Sequence, residues 1–366
     1  MVSCACKQSK NGVGYFYTFF SAPYFCFCNK EQPLTVEDTI CYFIFGVQSI
    51  LVKVIQRSHG VQRASKENIQ AEVVQVSEKK KSPVGQRLLT AGVAIPVVLT
   101  FVWFGGWVAF AAVLLVVILG TLELHNMLLN AGYHPLIWIS FGLSVLFLIA
   151  AMFPQQRQLI LETSLGAGLL VSFPWLFVRK KLDGAMVDWA LTLAISIYLG
   201  WPMSFFLLLR GPDSSRIDVF HILTNPSWLY LPRGVWWLLM LLLGVWGFDA
   251  AAFFAGRYFG RHKLAPRISP AKTWEGVLGG FILSIAAGLI LTVKQLGVPW
   301  YLAIVLGILL GIAAVFGDLA ESLIKRQTRV KDSGQFMPGH GGMLDRIDSL
   351  LFAVIVVYVF AQLIGK

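Results

Sequence analysis

Long runs of apolar residues, separated by short polar segments, dominate the chain from Arg87 to its C-terminal end. Each run is long enough to cross about 30 Å of hydrocarbon as an α-helix. A helix also satisfies its own backbone polar groups, which a segment in lipid must do. The pattern therefore predicts an all-α fold, a polytopic bundle of about nine transmembrane helices, at residues 88–104, 106–122, 136–153, 159–177, 188–209, 234–254, 274–293, 299–318 and 346–364.

Residues 1–82 lack this pattern and are predicted to form an N-terminal extension and linker ahead of a membrane domain at 83–366. The apolar segment 39–55 contains Gln48 and Lys53, and it fits an extra span, an interfacial helix or neither. Residues 56–82 are polar and charged, as linkers are. The start does not have the residue order of a signal peptide, and a plastid transit peptide stays open.

Composition supports a membrane protein. Of 366 residues, 57% are hydrophobic and 13% are charged, whereas a soluble domain has about 25% charged residues. The net charge of +11 resides in short loops between apolar runs, so membrane topology explains it better than a nucleic-acid partner does. All five cysteines lie in the first 41 residues, and their C-x-C spacing argues against a zinc site.

Lysine and arginine indicate the orientation. With nine spans, the loops that follow spans four, six and eight lie on the same side as the segment before span one. These segments are rich in Lys and Arg, whereas the opposite loops contain few. Because basic loops stay on the cytoplasmic side, that side is predicted to face the cytosol or its equivalent in an organelle.

Carboxylates mark the same side. Acidic residues at membrane depth are costly and usually functional. Asp249 lies near the end of span six, Asp318 ends span eight, and Asp345 and Asp348 open span nine. Glu321 and Ser322 follow Asp318 at i+3 and i+4, so they share its helix face. Topology read from Lys, Arg and apolar runs alone thus brings these acids together, which predicts an active site at the cytoplasmic face.

Each feature taken singly has a structural alternative. Asp345 and Asp348 at a helix start are favoured by the helix dipole, and Asp345 could pair with its neighbour Arg346. Each basic loop could reflect topology alone. The convergence of all these residues on one face favours a functional site over this alternative.

The basic loops also contain glycine, serine and threonine, which suits phosphate binding. Lys and Arg supply charge, hydroxyl and backbone N–H groups supply donors, and glycine allows close approach of the backbone. Carboxylates next to phosphate need a cation between them, and Mg²⁺ is the usual one. Since phosphoryl-type transfer depends on positioning and charge neutralisation, the pattern predicts nucleotide chemistry on a lipid phosphate.

Three segments carry a specific resemblance. They are Ser322-Leu-Ile-Lys325-Arg326, Lys331-Asp332-Ser333 and Pro338-Gly-His340-Gly-Gly-Met-Leu-Asp345-Arg346-Ile-Asp348. Together they resemble the signature of the phosphatidate cytidylyltransferase family, with more than about ten positions at fixed spacing. Residues 249–276, with G-R-x-F-G-R and S-P-x-K-T-W-E-G elements, resemble the same family. The similarity extends from about Arg87 to the C-terminal end, and residues 1–80 lie outside it.

The resemblance implies an integral membrane enzyme that makes CDP-diacylglycerol and pyrophosphate from CTP and phosphatidic acid, with Mg²⁺. It implies a bacterial inner membrane or a plastid membrane, with the site facing cytosol or stroma and lipids as partners. A second, monovalent cation and a homodimer stay open. The catalytic residues carried over by position are Asp249, Asp318, Lys325, Arg326, Lys331, Asp345 and Asp348, of which the four aspartates would hold metal. The substrate-binding residues carried over are Arg267, Ser269, Lys272, Thr273, His340, Gly341 and Gly342.

Three other functions compete with this interpretation. A transporter would place acids near the bilayer midplane and show internal repeats, neither of which the sequence contains. A CTP-dependent polyprenol or phytol kinase shares the membrane setting, but the His-Gly-Gly and Asp-Arg-x-Asp run favours the cytidylyltransferase. A CDP-alcohol phosphatidyltransferase would need D-G-x2-A-R, and the sole Asp-Gly, Asp183-Gly184, continues Ala-Met-Val-Asp.

Overall fold

A computed structural model describes residues 84–178, 183–211, 231–334 and 341–364. Its helices coincide with the predicted apolar runs, which confirms a polytopic all-α bundle for the described residues. Two helices contain a π turn, α5 at Ser196–Gly200 and α7 at Leu289–Val293. The helices are α1 (Val84–Phe104), α2 (Gly106–Asn130), α3 (Ile137–Met152), α4 (Arg157–Val178), α5 (Ala185–Arg210), α6 (Arg233–Phe259), α7 (Trp274–Leu296), α8 (Trp300–Gln327) and α9 (Leu344–Ile364).

Seven of the helices in these ranges are long and apolar enough to cross a membrane, by length and composition. The apolar part of α1 is Ala94–Phe104, and α3 has only 16 residues. At about 1.5 Å per residue α3 extends about 24 Å, less than the roughly 30 Å of a hydrocarbon core. The nine predicted spans are therefore all present as helices, but two of them are short.

Large apolar side chains cover the outer surfaces of the helices. Leu170 on α4 is 77% exposed, Phe177 is 79% exposed and Ile282 on α7 is 69% exposed. Soluble proteins rarely expose continuous apolar surfaces of this kind, whereas lipid chains solvate them. The chain is an integral membrane protein.

A short β-hairpin follows α6 and was not predicted. Strand β1 (Lys263–Ala265) pairs with β2 (Ser269–Thr273) in antiparallel fashion, with Lys263 opposite Thr273. Strands of three and five residues are too short to show an alternating apolar pattern. The basic loop between spans six and seven is therefore an ordered element in this region.

Contacts at the start of α7 fix the hairpin in place. Thr273 caps the helix, because its hydroxyl accepts a hydrogen bond from the N–H of Gly276 at 3.2 Å. In the first turn, a Glu275 carboxylate oxygen accepts from the N–H of Arg261 at 3.1 Å. The other oxygen lies 2.6 Å from Nδ1 of His262. The two strands are thereby joined to the helix that follows them.

Small residues let α6, α7, α8 and α9 pack closely. The ring of Phe248 on α6 occupies the space where a β-carbon would lie on Gly280 of α7, and the rings of Phe281 and Phe248 do so at Gly311 of α8. On α8, Gly317 is so close to the backbone carbonyl of Asp348 that any side chain would collide with it. This close approach places neighbouring Asp318 beside the start of α9.

Helix α9 is central, because it contacts α2, α5, α6 and α8. Leu344, Leu351, Val354 and Val357 along it are fully buried, at 0% exposure. The N-terminal helices therefore share a core with the C-terminal ones, and residues from both halves can reach the first turn of α9.

Several predicted features lie outside the described residues. They are the extension at 1–82 with its apolar segment 39–55 and all five cysteines, the basic residues 179–181, and His340.

Candidate active site

Acidic side chains from three helices lie together at one end of the bundle. Asp249 on α6, Asp318 on α8 and Asp348 on α9 are close enough for each to interact electrostatically with the other two. Asp345, one turn before Asp348, forms an ion pair with Lys325 on α8, which also interacts electrostatically with Asp348. The structure thus brings together all four aspartates that the sequence indicated.

Lys272, at the end of the hairpin, bridges to α8. Its Nζ lies 2.6 Å from Oδ2 of Asp318, and the two side chains are 22% and 31% exposed. The hydroxyl of Ser322 donates to the other oxygen of Asp318 at 3.2 Å. An ion pair this accessible adds little stability, so its consequence is to hold a cation and an anion at fixed positions.

Lys325 stands between two carboxylates in a drier environment. Its Nζ is 2.5 Å from Oε2 of Glu321, one helical turn away, and 2.7 Å from Oδ1 of Asp345 on α9. Glu321 is completely buried at 0% exposure, and neither of its oxygens accepts a hydrogen bond of good geometry. Lys325 is therefore the group that compensates the charge of Glu321.

Asp345 is held by several donors at once. Oδ1 accepts from Lys325, while Oδ2 accepts from the N–H of Ser333 at 3.1 Å, its hydroxyl at 3.0 Å and the N–H of Gly342 at 2.8 Å. The side chain is 11% exposed. Asp345 thus contacts both Ser333 and Gly342, which precede α9 in the chain.

Asp348 and Asp249 have fewer donors. Asp348 accepts from the N–H of Ser349, the next residue in the same helix, at 2.6 Å. Asp249 interacts with Lys272 and Ser349 as well as with the other two aspartates. Their carboxylates therefore keep more capacity to bind a ligand than that of Asp345.

The remaining cations of the predicted site surround the hairpin. Nε of Arg326, in the last turn of α8, donates to the carbonyl of Ile268 at 3.2 Å and so connects this helix to the hairpin. Arg267, at the hairpin turn, and Lys331, after α8, are exposed, and Ser269 is half-buried. Their predicted role toward substrate stays a prediction.

Thr273 and Gly342 make structural contacts. Thr273 is 5% exposed and its hydroxyl is occupied by the cap of α7. Gly342 donates its N–H to Asp345, and Gly341 has a φ of 87°, which favours glycine. Substrate binding by these residues stays a prediction.

The metal role predicted for the four aspartates stays a prediction. Within the described ranges, no three His, Cys, Asp or Glu side chains are placed to hold one ion together. Lys325 and three further donors contact Asp345, and Lys272 is paired with Asp318. Mg²⁺, however, uses one or two carboxylates and completes its shell with water and substrate phosphates. The oxygen donors of Asp249, Asp318 and Asp348 fit such a site.

Two residues of the N-terminal half reach the site without having been predicted. Glu123 on α2 accepts from the backbone N–H groups of Met343 at 2.8 Å and Leu344 at 2.9 Å. Tyr198, in the π turn of α5, has a buried hydroxyl and interacts electrostatically with acids on α8 and α9. The sequence offered one signal for Glu123, because an acidic residue directly after an apolar run is often functional. It offered no signal for Tyr198, since a tyrosine within an apolar run is common.

Comparison with known proteins agrees with this geometry. The chain matches the Cytidylyltransferase family over residues 85–364. It is 33% identical over 304 residues to the phosphatidate cytidylyltransferase of Synechocystis sp., covering 76% of this chain and 97% of that protein. With the phosphatidate cytidylyltransferase of Bacillus subtilis it shares 31% identity over 281 residues, 75% of this chain and 96% of that protein. The phosphatidate cytidylyltransferase of Brucella suis is 44% identical over 135 residues, 37% of this chain and 50% of that protein.

Proposed function

Since the chain belongs to the cytidylyltransferase family, we propose that it is a phosphatidate cytidylyltransferase, which makes CDP-diacylglycerol and pyrophosphate from CTP and phosphatidic acid. The observation that carries this proposal is the meeting of acids and cations from three helices and the hairpin at one end of the bundle. Lys272 and Lys325 each contact a carboxylate there within 2.7 Å. Such a site suits a reaction between two phosphates.

In this reaction a phosphate oxygen of phosphatidic acid attacks the α-phosphorus of CTP. A new P–O bond forms, the bond from the α-phosphorus to the bridging oxygen of the β-phosphate breaks, and pyrophosphate leaves with the electron pair. The attacking group is already an anion, so no strong general base is needed. The protein contributes orientation and neutralisation of charge.

The cations of the site have distinct positions for this work. Lys272 and Lys325 are held by acids before any substrate binds, so little reorganisation accompanies binding. Arg267, Arg326 and Lys331 are exposed on the adjacent surface, where they would attract and neutralise the triphosphate and the lipid phosphate. Ser269, Lys272, Thr273, His340, Gly341 and Gly342 remain the predicted substrate-binding residues.

One or two of Asp249, Asp318 and Asp348 would hold Mg²⁺, with water and substrate phosphates completing its shell. When bound, the ion would neutralise negative charge on the triphosphate. Asp345 is assigned mainly to positioning, because Lys325, Ser333 and Gly342 already occupy its oxygens. A second, monovalent cation stays a prediction.

The site is proposed to face the cytosol, or the stroma if the membrane is that of a plastid. Basic residues of the hairpin and of 325–331 lie at this end of the bundle, as the distribution of Lys and Arg in membrane proteins requires of a cytosolic side. A soluble nucleotide and a membrane lipid can meet at such a surface. A bacterial inner membrane is the other proposed location, and a homodimer stays open.

Position-specific labelling separates this function from the alternatives. Purified protein receives phosphatidic acid, Mg²⁺ and CTP labelled at either the α- or the γ-phosphorus. A cytidylyltransferase transfers the α label to lipid and releases the γ label as pyrophosphate. A CTP-dependent lipid kinase, tested with a polyprenol or phytol acceptor, transfers the γ label instead.

Chelation of divalent cations provides the matched control. Removing Mg²⁺ from the same preparation is expected to stop lipid labelling, and adding it back is expected to restore it. A folded, inserted preparation that labels lipid from neither position would contradict the proposed function and reopen the transporter interpretation.

A further inference from the structure

Glu123 supplies the N-terminal cap of a helix that lies more than 200 residues away in sequence. The first N–H groups of a helix lack partners within it, and Glu123 accepts two such donors, from Met343 and Leu344, with its two different oxygens. Its carboxylate comes from α2, so it fixes where α9 begins relative to the N-terminal half. Neither the reaction nor the family signature assigns a role to this residue.

The neighbouring small residues leave room for this carboxylate. A β-carbon added to Gly334 would collide with one oxygen of Glu123, and one added to Gly342 would collide with the other oxygen and with Ser333. The hydroxyl of Ser333 lies 3.1 Å from Oε2 of Glu123. Ser333, Gly334 and Gly342 thus all lie next to the same carboxylate.

Ser333 connects Glu123 to the aspartates. Its hydroxyl lies 3.1 Å from Glu123 and 3.0 Å from Oδ2 of Asp345, and it carries one hydrogen, so it donates to one carboxylate at a time. Asp345 in turn binds Lys325 at 2.7 Å. A continuous chain of contacts therefore runs from α2 through the turn to the lysine on α8.

We propose that Glu123 is a positioning residue of the cytidylyl-transfer site, holding the first turn of α9 so that Asp345 and Asp348 stand opposite Asp318 and Lys325. It does so through Ser333 and the N–H groups of Met343 and Leu344, without touching substrate. The expected effect of Glu123 on catalysis rests on the proposed function. The anchoring of α9 by Glu123 does not depend on that function.

The test compares Glu123→Gln, Glu123→Asp and the exposed control Glu162→Gln on α4. Glu123→Gln keeps the shape of the side chain but replaces one acceptor by a donor, which faces an N–H donor of α9. We expect kcat to fall about 10- to 100-fold, as for other residues that orient a site, with the KM for CTP within about twofold of wild type. Glu123→Asp retains the charge and should recover part of kcat, and Glu162→Gln should match wild type.

Hydrogen exchange of the backbone amides supplies a readout that does not depend on activity. In Glu123→Gln, exchange should accelerate in peptides covering 341–350 and remain unchanged in peptides from α4 and from the first half of α6. Unaltered exchange at 341–350, or equal acceleration throughout the chain, would overturn the anchoring. If wild type lacks cytidylyltransferase activity but this local pattern is seen, the proposed function fails and the anchoring stands. Normal kcat with locally faster exchange would overturn the catalytic consequence.

Discussion

Replacing Lys325 by methionine tests how the buried charges of the site are compensated. Lys325 is 16% exposed and is the ion-pair partner of both Glu321 and Asp345. After Lys325→Met, Asp345 still accepts hydrogen bonds from Ser333 and Gly342. Glu321 is fully buried, and among the described residues Lys325 is the cation within ion-pair distance of it. The uncompensated charge is therefore that of Glu321.

This asymmetry sets the magnitude of the effect. Removing one partner of a buried ion pair costs about 3–5 kcal/mol, mainly because the other charge stays buried alone. We expect Lys325→Met to lower the free energy of unfolding by about this amount. Adding Glu321→Gln removes that charge, so the double variant should regain all but about 1–2 kcal/mol. The double variant should nevertheless stay inactive, because a phosphate-neutralising lysine is gone.

The assay is SDS-induced unfolding in mild detergent micelles, combined with transfer of α-labelled CTP to lipid. Lys294→Met, an exposed lysine of α7, serves as the control and should change stability by no more than about 0.5 kcal/mol. If the double variant were as unstable as Lys325→Met, Glu321 would not be the uncompensated group. Recovery of activity together with stability would show that Lys325 acts only in folding.

Substitutions of the aspartates and of Thr273 test other parts of the site. Asp318→Asn and Asp348→Asn should each lower kcat by at least about 100-fold, because charge stabilisation at the reacting phosphates is lost. The circular dichroism spectrum of each variant should match that of wild type. Near-normal rates would show that neither residue belongs to the metal site. Thr273→Val should lower the free energy of unfolding by about 1 kcal/mol, because the cap of α7 is lost. Thr273→Ser keeps the hydroxyl and should leave the stability unchanged. Equal stability of the two variants in SDS titration would contradict the capping role.

Local sequence patterns were sufficient to predict the helices. Apolar length is a property of each segment alone, and the run at 136–153 corresponds to α3, Ile137–Met152. The i, i+3 spacing of Asp345 and Asp348 likewise placed both on one face of α9. The convergence of α6, α8 and α9 at one end followed from counting spans, since three acids near loop ends on the same side must meet if their helices pack together.

Tertiary contacts were not predictable in the same way. The pairing of Glu123 with Met343 and Leu344 spans more than 200 residues, and no local pattern encodes it. The hairpin was missed because short strands rich in Pro, Lys and Ser resemble a loop. Asp345 was predicted as a metal ligand, but the donors that occupy it depend on how the turn at 333 and 342 closes.

The number of donors around each carboxylate divides the acids of the site into two groups. A carboxylate has about four acceptor positions, and Asp345 uses its oxygens for a lysine and three neutral donors. Glu123 is occupied by the N–H groups of Met343 and Leu344, and it shares the single hydroxyl hydrogen of Ser333 with Asp345. Acids satisfied in this way stabilise geometry and have little capacity for another cation. Asp348 accepts from the amide of its own neighbour, and both Asp348 and Asp249 have such capacity. A divalent ion would therefore be held where α9 faces α6. The contacts where α9 faces α2 would keep the first turn of α9 aligned with α8.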